Sequence, residues 1–226
     1  MTTPVLILSG AGMPSWIWDE VRASISAPSF VASRPRGAGR RLEDYARAAL
    51  EEIPSGPFAV VAHSAGGVVA AEIMARAPER VAAVLGVAAV VPGGSGSFTS
   101  SLPLPGRALL PVMLRLAGTR PPESSIRAGL AAGVDAKTAD RLISEFSPES
   151  RQYFTDRTTS GQALRMAPRR HYLATTADSE IPLSTQLRYA TLLGVSDPAK
   201  VATGHLPMLV QSAAVTTAVQ RLLTDL

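Results

Sequence analysis

Ser64, Asp178 and His205 lie far apart in the chain, yet together they are the residue types that nucleophilic acyl chemistry requires. That chemistry needs an exposed hydroxyl, an imidazole to take its proton, and a carboxylate to orient the imidazole and stabilise it once charged. Ser64 has the most informative surroundings. It stands in Phe58-Ala-Val-Val-Ala-His-Ser-Ala-Gly-Gly67, where a continuous apolar run gives way to small residues. The first part reads as a buried strand over Phe58–Ala62, and the second opens a helix over Ala65–Ala77. A sharp turn between them brings two backbones close together, so its flanks must be small, and Ala62 and Gly66 meet that need. Such a turn lifts the hydroxyl into the open. The Ala65 N–H, at the positive end of the helix, can then face a developing oxyanion. The plain alternative is a tight turn with Ser64 as a helix cap.

His205 lies in Ala202-Thr-Gly-His-Leu-Pro-Met-Leu-Val210, after a short apolar run and before the last helical pattern. A neutral imidazole there can accept the serine proton and later deliver it to a leaving group. Taken alone, a histidine is more often structural. Three acids are candidates for its partner. Asp178 follows Tyr172-Leu-Ala-Thr-Thr-Ala and precedes Ser-Glu-Ile-Pro182; Glu180 reads as an exposed neighbour; Asp197 reads as a turn residue before Pro198. His63 reads as a packed or locally hydrogen-bonded group, and His171 as the entrance of a strand. Neither has partners at metal-ligand spacing, Gly10-x-Gly12 lacks the third glycine of a dinucleotide fingerprint, and no phosphate loop is present, so no cofactor or metal is expected.

The elements that must position these groups follow from periodicity. Val5–Leu8, Phe30–Ala32, Val81–Val87, Tyr172–Ala174 and Lys200–Ala202 read as further strands. Ser15–Ser26, Leu42–Ile53, Pro182–Leu193 and a segment from Pro207 read as helices, with Val215, Ala218, Val219 and Leu222 on one face of the last. A Pro/Gly-rich turn is expected over Arg34–Gly39. Continuous apolar strands alternating with helices predict an α/β fold, a parallel sheet covered on both faces. Residues 92–168 break the rhythm, with helical stretches at Arg107–Leu116, Glu123–Ala132 and Lys137–Phe146. They read as an insertion over one end of the sheet within a single domain spanning 1–226. Trp16 and Trp18 read as core; Met113, Leu114 and Phe146 are pocket candidates, with packing as the default.

Composition narrows the field further. The chain has 226 residues, 46% hydrophobic and 18% charged, and no cysteine, which excludes disulfides and thiolate chemistry. The formal charge is +4, but Lys137 and Lys200 are the only lysines and the arginines are scattered, so no nucleic-acid partner is expected. No apolar run approaches the ~18 residues that span a bilayer, and no signal peptide is visible, so a cytoplasmic protein without a membrane partner is expected.

These residues resemble a known family. Leu6-Ile-Leu-Ser-Gly-Ala-Gly-Met-Pro-Ser-Trp-Ile-Trp18 is similar to the first strand and oxyanion loop of α/β-hydrolases, with Ser9 in place of the usual His. The strand–Ser64–helix turn resembles their nucleophile elbow, with Ala62 for the first Gly, and the segments around Asp178 and His205 resemble the family's acid and base motifs. The resemblance implies a Ser64–Asp178–His205 triad, an oxyanion hole from the Ala11 and Ala65 N–H groups, and about six mostly parallel strands in the order 4-3-5-6-7-8 by the family's strand names. It also implies a helical cap at 92–168 and the absence of two leading strands that many members carry. The Asp–x–x–Ile-Pro pattern, Gln186 and His–x–x–Met-Leu resemble the branch of plant methyl-ester esterases and hydroxynitrile lyases. The lyases carry Thr and Lys where this chain has Ala11 and Leu206, so the resemblance implies hydrolysis of a small ester, thioester or lactone. Elimination, cyclisation or acyl transfer on the same triad is the rival, a receptor without turnover is the third reading, and a homodimer is left open.

Overall fold

The computed structural model describes residues 2–35, 37 and 39–226. Arg36 and Ala38 of the expected Arg34–Gly39 turn lie outside the described residues. Six strands, β1 (Val5–Leu8), β2 (Ser29–Val31), β3 (Phe58–His63), β4 (Val81–Val87), β5 (Arg169–Thr175) and β6 (Ala199–Val201), form one sheet in the order β2-β1-β3-β4-β5-β6. Every neighbouring pair is parallel. This is the order expected from the resemblance.

A parallel sheet needs both faces covered, and alternate residues of each strand serve opposite faces. Leu6, Leu8, Val60 and Ala62 join one core with α2 (Leu42–Glu52), α3 (Gly66–Arg76) and α9 (Leu183–Leu193). Val5, Ile7, Ala59 and Val61 join the other with α1 (Asp19–Ser24) and α11 (Ser212–Thr224). Each fully buried Val, Leu, Ile or Phe contributes about 1.5–3 kcal/mol relative to exposure, and that term fixes α3 centrally, with residues 66 to 74 all buried.

Register aligns the strand ends that precede the candidate residues. Leu8 pairs with Ala62, His63 with Val87, Val87 with Leu173, and Thr175 with Val201. The loops leaving β1, β3, β5 and β6 therefore open at the same edge. Ser9, Ser64, Asp178 and His205 follow within a few residues of those ends.

Several boundaries differ from expectation for local reasons. The Ser15–Ser26 helix is a 3-10 turn, Ser15–Trp18, followed by the short α1, and Ile25 is already extended and buried. β5 starts at Arg169 rather than Tyr172, its charged end tied down by Asp225: Arg169 Nε donates to the Asp225 carbonyl at 2.8 Å, and His171 Nε2 lies 2.9 Å from its carboxylate. The helix from Pro207 is broken at Gln211 (φ −140°, ψ 61°) into α10 (Pro207–Val210) and α11; Val215, Val219 and Leu222 are buried and Ala218 is half-buried.

Between β4 and β5 lie α4 (Phe98–Ser101), α5 (Gly106–Leu116), α6 (Glu123–Ser125), α7 (Ala136–Glu145) and α8 (Arg151–Thr155). The expected Glu123–Ala132 helix is instead α6 running into a π-turn, Ile126–Leu130. Trp16 packs half-buried against the core, pinned at its rim: its Nε1 donates to Glu145 at 2.7 Å and Arg141 stacks 4.1 Å above the ring. Among the described residues no helix is long and apolar enough to cross a membrane.

Candidate active site

Ser64 occupies the turn between β3 and α3 with φ at +52°, in the left-handed region that residues with a Cβ rarely enter. Two close backbone approaches hold it there. A Cβ on Gly66 would overlap the carbonyl oxygen of Leu8, and one on Gly67 would overlap that of Val90. The Ser64 carbonyl accepts from the Val90 N–H at 2.9 Å and its own N–H donates to Val87 at 3.3 Å, so the unusual backbone is fully bonded to the β4 side. Strain of this kind persists where surrounding structure over-determines it.

The turn aims the hydroxyl at His205, whose Nε2 lies 2.9 Å from Ser64 Oγ. Its Nδ1 lies 2.8 Å from Asp178 Oδ2. A carboxylate only accepts, so Nδ1 carries the proton and Nε2 presents its lone pair to the serine. The structure thus brings together Ser64, Asp178 and His205, from positions 64, 178 and 205 of the chain.

Asp178 is held by five donors. Thr175 Oγ1 (2.9 Å), His205 and Gln186 Nε2 (3.3 Å) reach Oδ2, while the Glu180 and Ile181 N–H groups reach Oδ1 at 2.8 and 3.0 Å. Burial works to raise its pKa. The hydrogen bond and charge of His205, with the Ile181 N–H and Thr175 hydroxyl, outweigh burial and hold it below the usual value. Gln186, fully buried, also bonds Thr175 and Ile181, locking the loop's shape. Asp197 is exposed at the far side of the sheet end, away from this group.

Ala11 and Ala65 line the same cavity as Ser64, and among the described residues neither of their N–H groups donates a hydrogen bond within the chain. The loop carrying Ala11 lacks the usual histidine, and other groups hold it. Ser9 Oγ instead accepts from Trp18 Nε1 at 3.1 Å. Gly10 N–H donates to His63 Nδ1 at 3.2 Å, the Gly10 carbonyl accepts from Arg34, Gly12 N–H donates to Glu149 at 3.1 Å, and the Gly12 carbonyl accepts from the Ser147 N–H at 3.1 Å. Arg34 and the buried Glu149 are themselves an ion pair.

His63 is fully buried. With Nδ1 accepting from Gly10, its Nε2–H donates to the carbonyl of His205 at 2.9 Å. Burial first, then the neighbouring His205, push its pKa down to about 3, so it is neutral. These supports were mostly beyond sequence reasoning. A histidine closing an apolar strand signals a buried polar group with both nitrogens bonded, but Arg34 and Glu149 are 115 residues apart and share no pattern.

The cavity holds about 230 Å³ and its wall is mostly apolar. Leu114 and Phe146 line it; Met113, on the same helix as Leu114, is 58% exposed and faces away. Glu180, expected as an exposed neighbour, is exposed overall but also lines this cavity. Its carboxyl pKa is raised by burial and by Asp178, against the opposing pull of His205. Among the described residues no group of three or more His, Cys, Asp or Glu is arranged to hold a metal ion.

The pattern that defines the alpha/beta hydrolase family matches residues 5–218. Among solved structures, an extracellular alpha/beta-hydrolase from a Paenibacillus species, described as a homologue of tobacco salicylic acid binding protein 2, superposes with a TM-score of 0.81 at 16% identity over 97% of this chain and 98% of that one. Polyneuridine aldehyde esterase gives 0.74 at 15% identity over 98% and 99% of the two chains. Tomato methylketone synthase I, solved with 2-tridecanone, gives 0.74 at 11% identity over 100% and 99%. At such identities the likeness is one of fold. No curated protein sequence matches the chain significantly.

Proposed function

Because the chain belongs to the alpha/beta hydrolase family, we propose that it is a serine esterase of the plant-esterase-like branch, acting through an acyl-enzyme on Ser64. The observation that carries this reading is the unbroken relay from Ser64 Oγ to His205 to Asp178, at 2.9 and 2.8 Å, at the floor of an apolar cavity. Ser64 Oγ attacks the ester carbonyl while His205 Nε2 takes its proton. The tetrahedral oxyanion is stabilised by the N–H groups of Ala11 and Ala65. As the intermediate collapses, the C–O bond to the alcohol breaks and His205 delivers the proton to that oxygen. A water molecule, deprotonated by His205, then attacks the acyl carbon and releases the carboxylic acid and free Ser64.

The substrate in this reading is a small, largely apolar ester, since Phe98, Leu110, Leu114, Phe146 and Phe154 form much of the wall. All five come from residues 92–168, which act as the cap within one domain. A fluorophosphonate should label the protein on Ser64 and fail to label Ser64→Ala. Hydrolysis of acyl esters in ¹⁸O-water should place one solvent oxygen in the acid product. A folded protein that resists the label, or a product without solvent oxygen, would count against hydrolysis.

A further inference from the structure

The polar side chains of this cavity are almost all spoken for. Ser64 and His205 bond to each other, both ring nitrogens of His63 are bonded, and Thr119 Oγ1 donates to the Glu149 carbonyl at 2.6 Å. Glu180 is the exception: among the described residues its carboxylate has no hydrogen-bond or ion-pair partner.

Its position is shaped by a second feature of the chain. A Cβ on Gly129, in the π-turn Ile126–Leu130, would fall on Glu180 Oε1. The carboxylate lies where it does because residue 129 has no side chain. π-turns of this kind are frequent at functional sites. Among the described residues no Arg or Lys pairs with the Glu180 carboxylate, and burial raises its pKa. Phe98 and Phe154 line the same cavity, and aromatic faces attract cations; Phe146 lines it too, with the Arg120 guanidinium already 5.5 Å from its ring centroid.

We infer that the cavity selects esters bearing an organic ammonium group, held by the Glu180 carboxylate beside the phenylalanine rings. The inference rests on the esterase reading for its chemistry, but the cation preference can be measured without turnover. An apolar wall with one uncompensated carboxylate attracts a cation, tolerates a neutral isostere and repels an anion.

The test compares butyrylcholine with 3,3-dimethylbutyl butyrate, which differ in replacing one charged nitrogen with carbon. Dissociation constants are measured at pH 8 with the Ser64→Ala protein, and kcat/KM with the wild type. The choline ester should bind about tenfold more tightly than its isostere. Glu180→Gln in the same background should bring the ratio close to one. Gly129→Ala, which displaces the carboxylate without removing it, should do the same. Lowering the pH through the raised Glu180 pKa should erode the preference in the parent protein only. Equal binding of the two esters, or a ratio unmoved by Glu180→Gln, would overturn the inference. If wild type hydrolyses neither ester while the binding ratio behaves as described, the esterase reading fails and the cation site stands.

Discussion

Nε2 of His63 donates to the backbone carbonyl of His205 at 2.9 Å, while Nδ1 of the same ring accepts from Gly10. One buried imidazole therefore couples the loop carrying Ala11 to the segment carrying His205, across 142 residues of sequence. The arrangement demands a neutral ring with its proton on Nε2. A protonated ring would turn a donor toward the Gly10 N–H and break the tie.

That demand makes His63 an acid-sensitive joint. Unfolded, it titrates near 6.5; folded, near 3. Between those values the unfolded chain binds the extra proton, so the contribution is complete above 6.5 and is lost as the pH falls toward 3. The slope reaches ~1.4 kcal/mol per pH unit. His63→Gln, which can keep both bonds but cannot titrate, should flatten this acid limb in denaturant melts run from pH 7 to 4. His63→Ala should also lower kcat by about tenfold or more, since both tethers are gone.

Asp178→Asn should be the most damaging isosteric change. Five donors converge on the two carboxylate oxygens. Whichever way an asparagine is turned, its NH2 meets donors: at the Oδ2 position it faces the His205 Nδ1–H and removes the imidazole's acceptor, and at the Oδ1 position it faces the Glu180 and Ile181 N–H groups that hold the loop. Steady-state ester hydrolysis should fall by about 10⁴-fold, with a measurable drop in Tm. Asp197→Asn, at an exposed turn, should match wild type in both; the reverse pattern would move the acid to Asp197.

What could be read from the sequence was whatever repeats locally. β4 has the expected bounds because Val81–Val87 is a continuous apolar run, and the Ser64 turn is legible because its small neighbours are contiguous with it. Asp178, Gln186 and His205 were legible through short local patterns. The rest depended on contacts between distant segments. β5 begins three residues early because its charged end is satisfied by Asp225, near the other end of the chain. The loop at Gly10 looked under-supported with Ser9 in place of His, yet its tethers come from Arg34, His63 and Glu149. Glu180 looked like a solvated neighbour because nothing in its own segment reveals the gap at Gly129.

Gly66→Ala should reverse the usual sign of a glycine replacement. In an ordinary helix, Gly→Ala stabilises by about 0.4–1 kcal/mol. Here the new methyl group would overlap the Leu8 carbonyl, a backbone atom of β1 that cannot turn away. The strand and α3 must separate, which moves both Ser64 and the Ala11 loop. The variant should melt well below wild type, and fluorophosphonate labelling should be slow even at temperatures where circular dichroism shows it folded.

The Arg34–Glu149 pair supports a sharper test, because stability and activity should separate. Arg34 grips the Gly10 carbonyl and Glu149 the Gly12 N–H, so the two charges clamp both sides of Ala11. Glu149 is 6% exposed, and breaking such a pair from one side leaves a charge without compensation, at a cost of about 3 kcal/mol or more. Glu149→Gln should therefore destabilise the protein and reduce kcat. Adding Arg34→Met removes the stranded cation and should recover part of the lost Tm. It should recover none of the kcat, because the Gly10 carbonyl now loses its donor as well and the Ala11 N–H is no longer held in line. Were the double variant to regain activity along with stability, the pair would be a packing device alone, and the placement of the oxyanion donor would have to rest on His63.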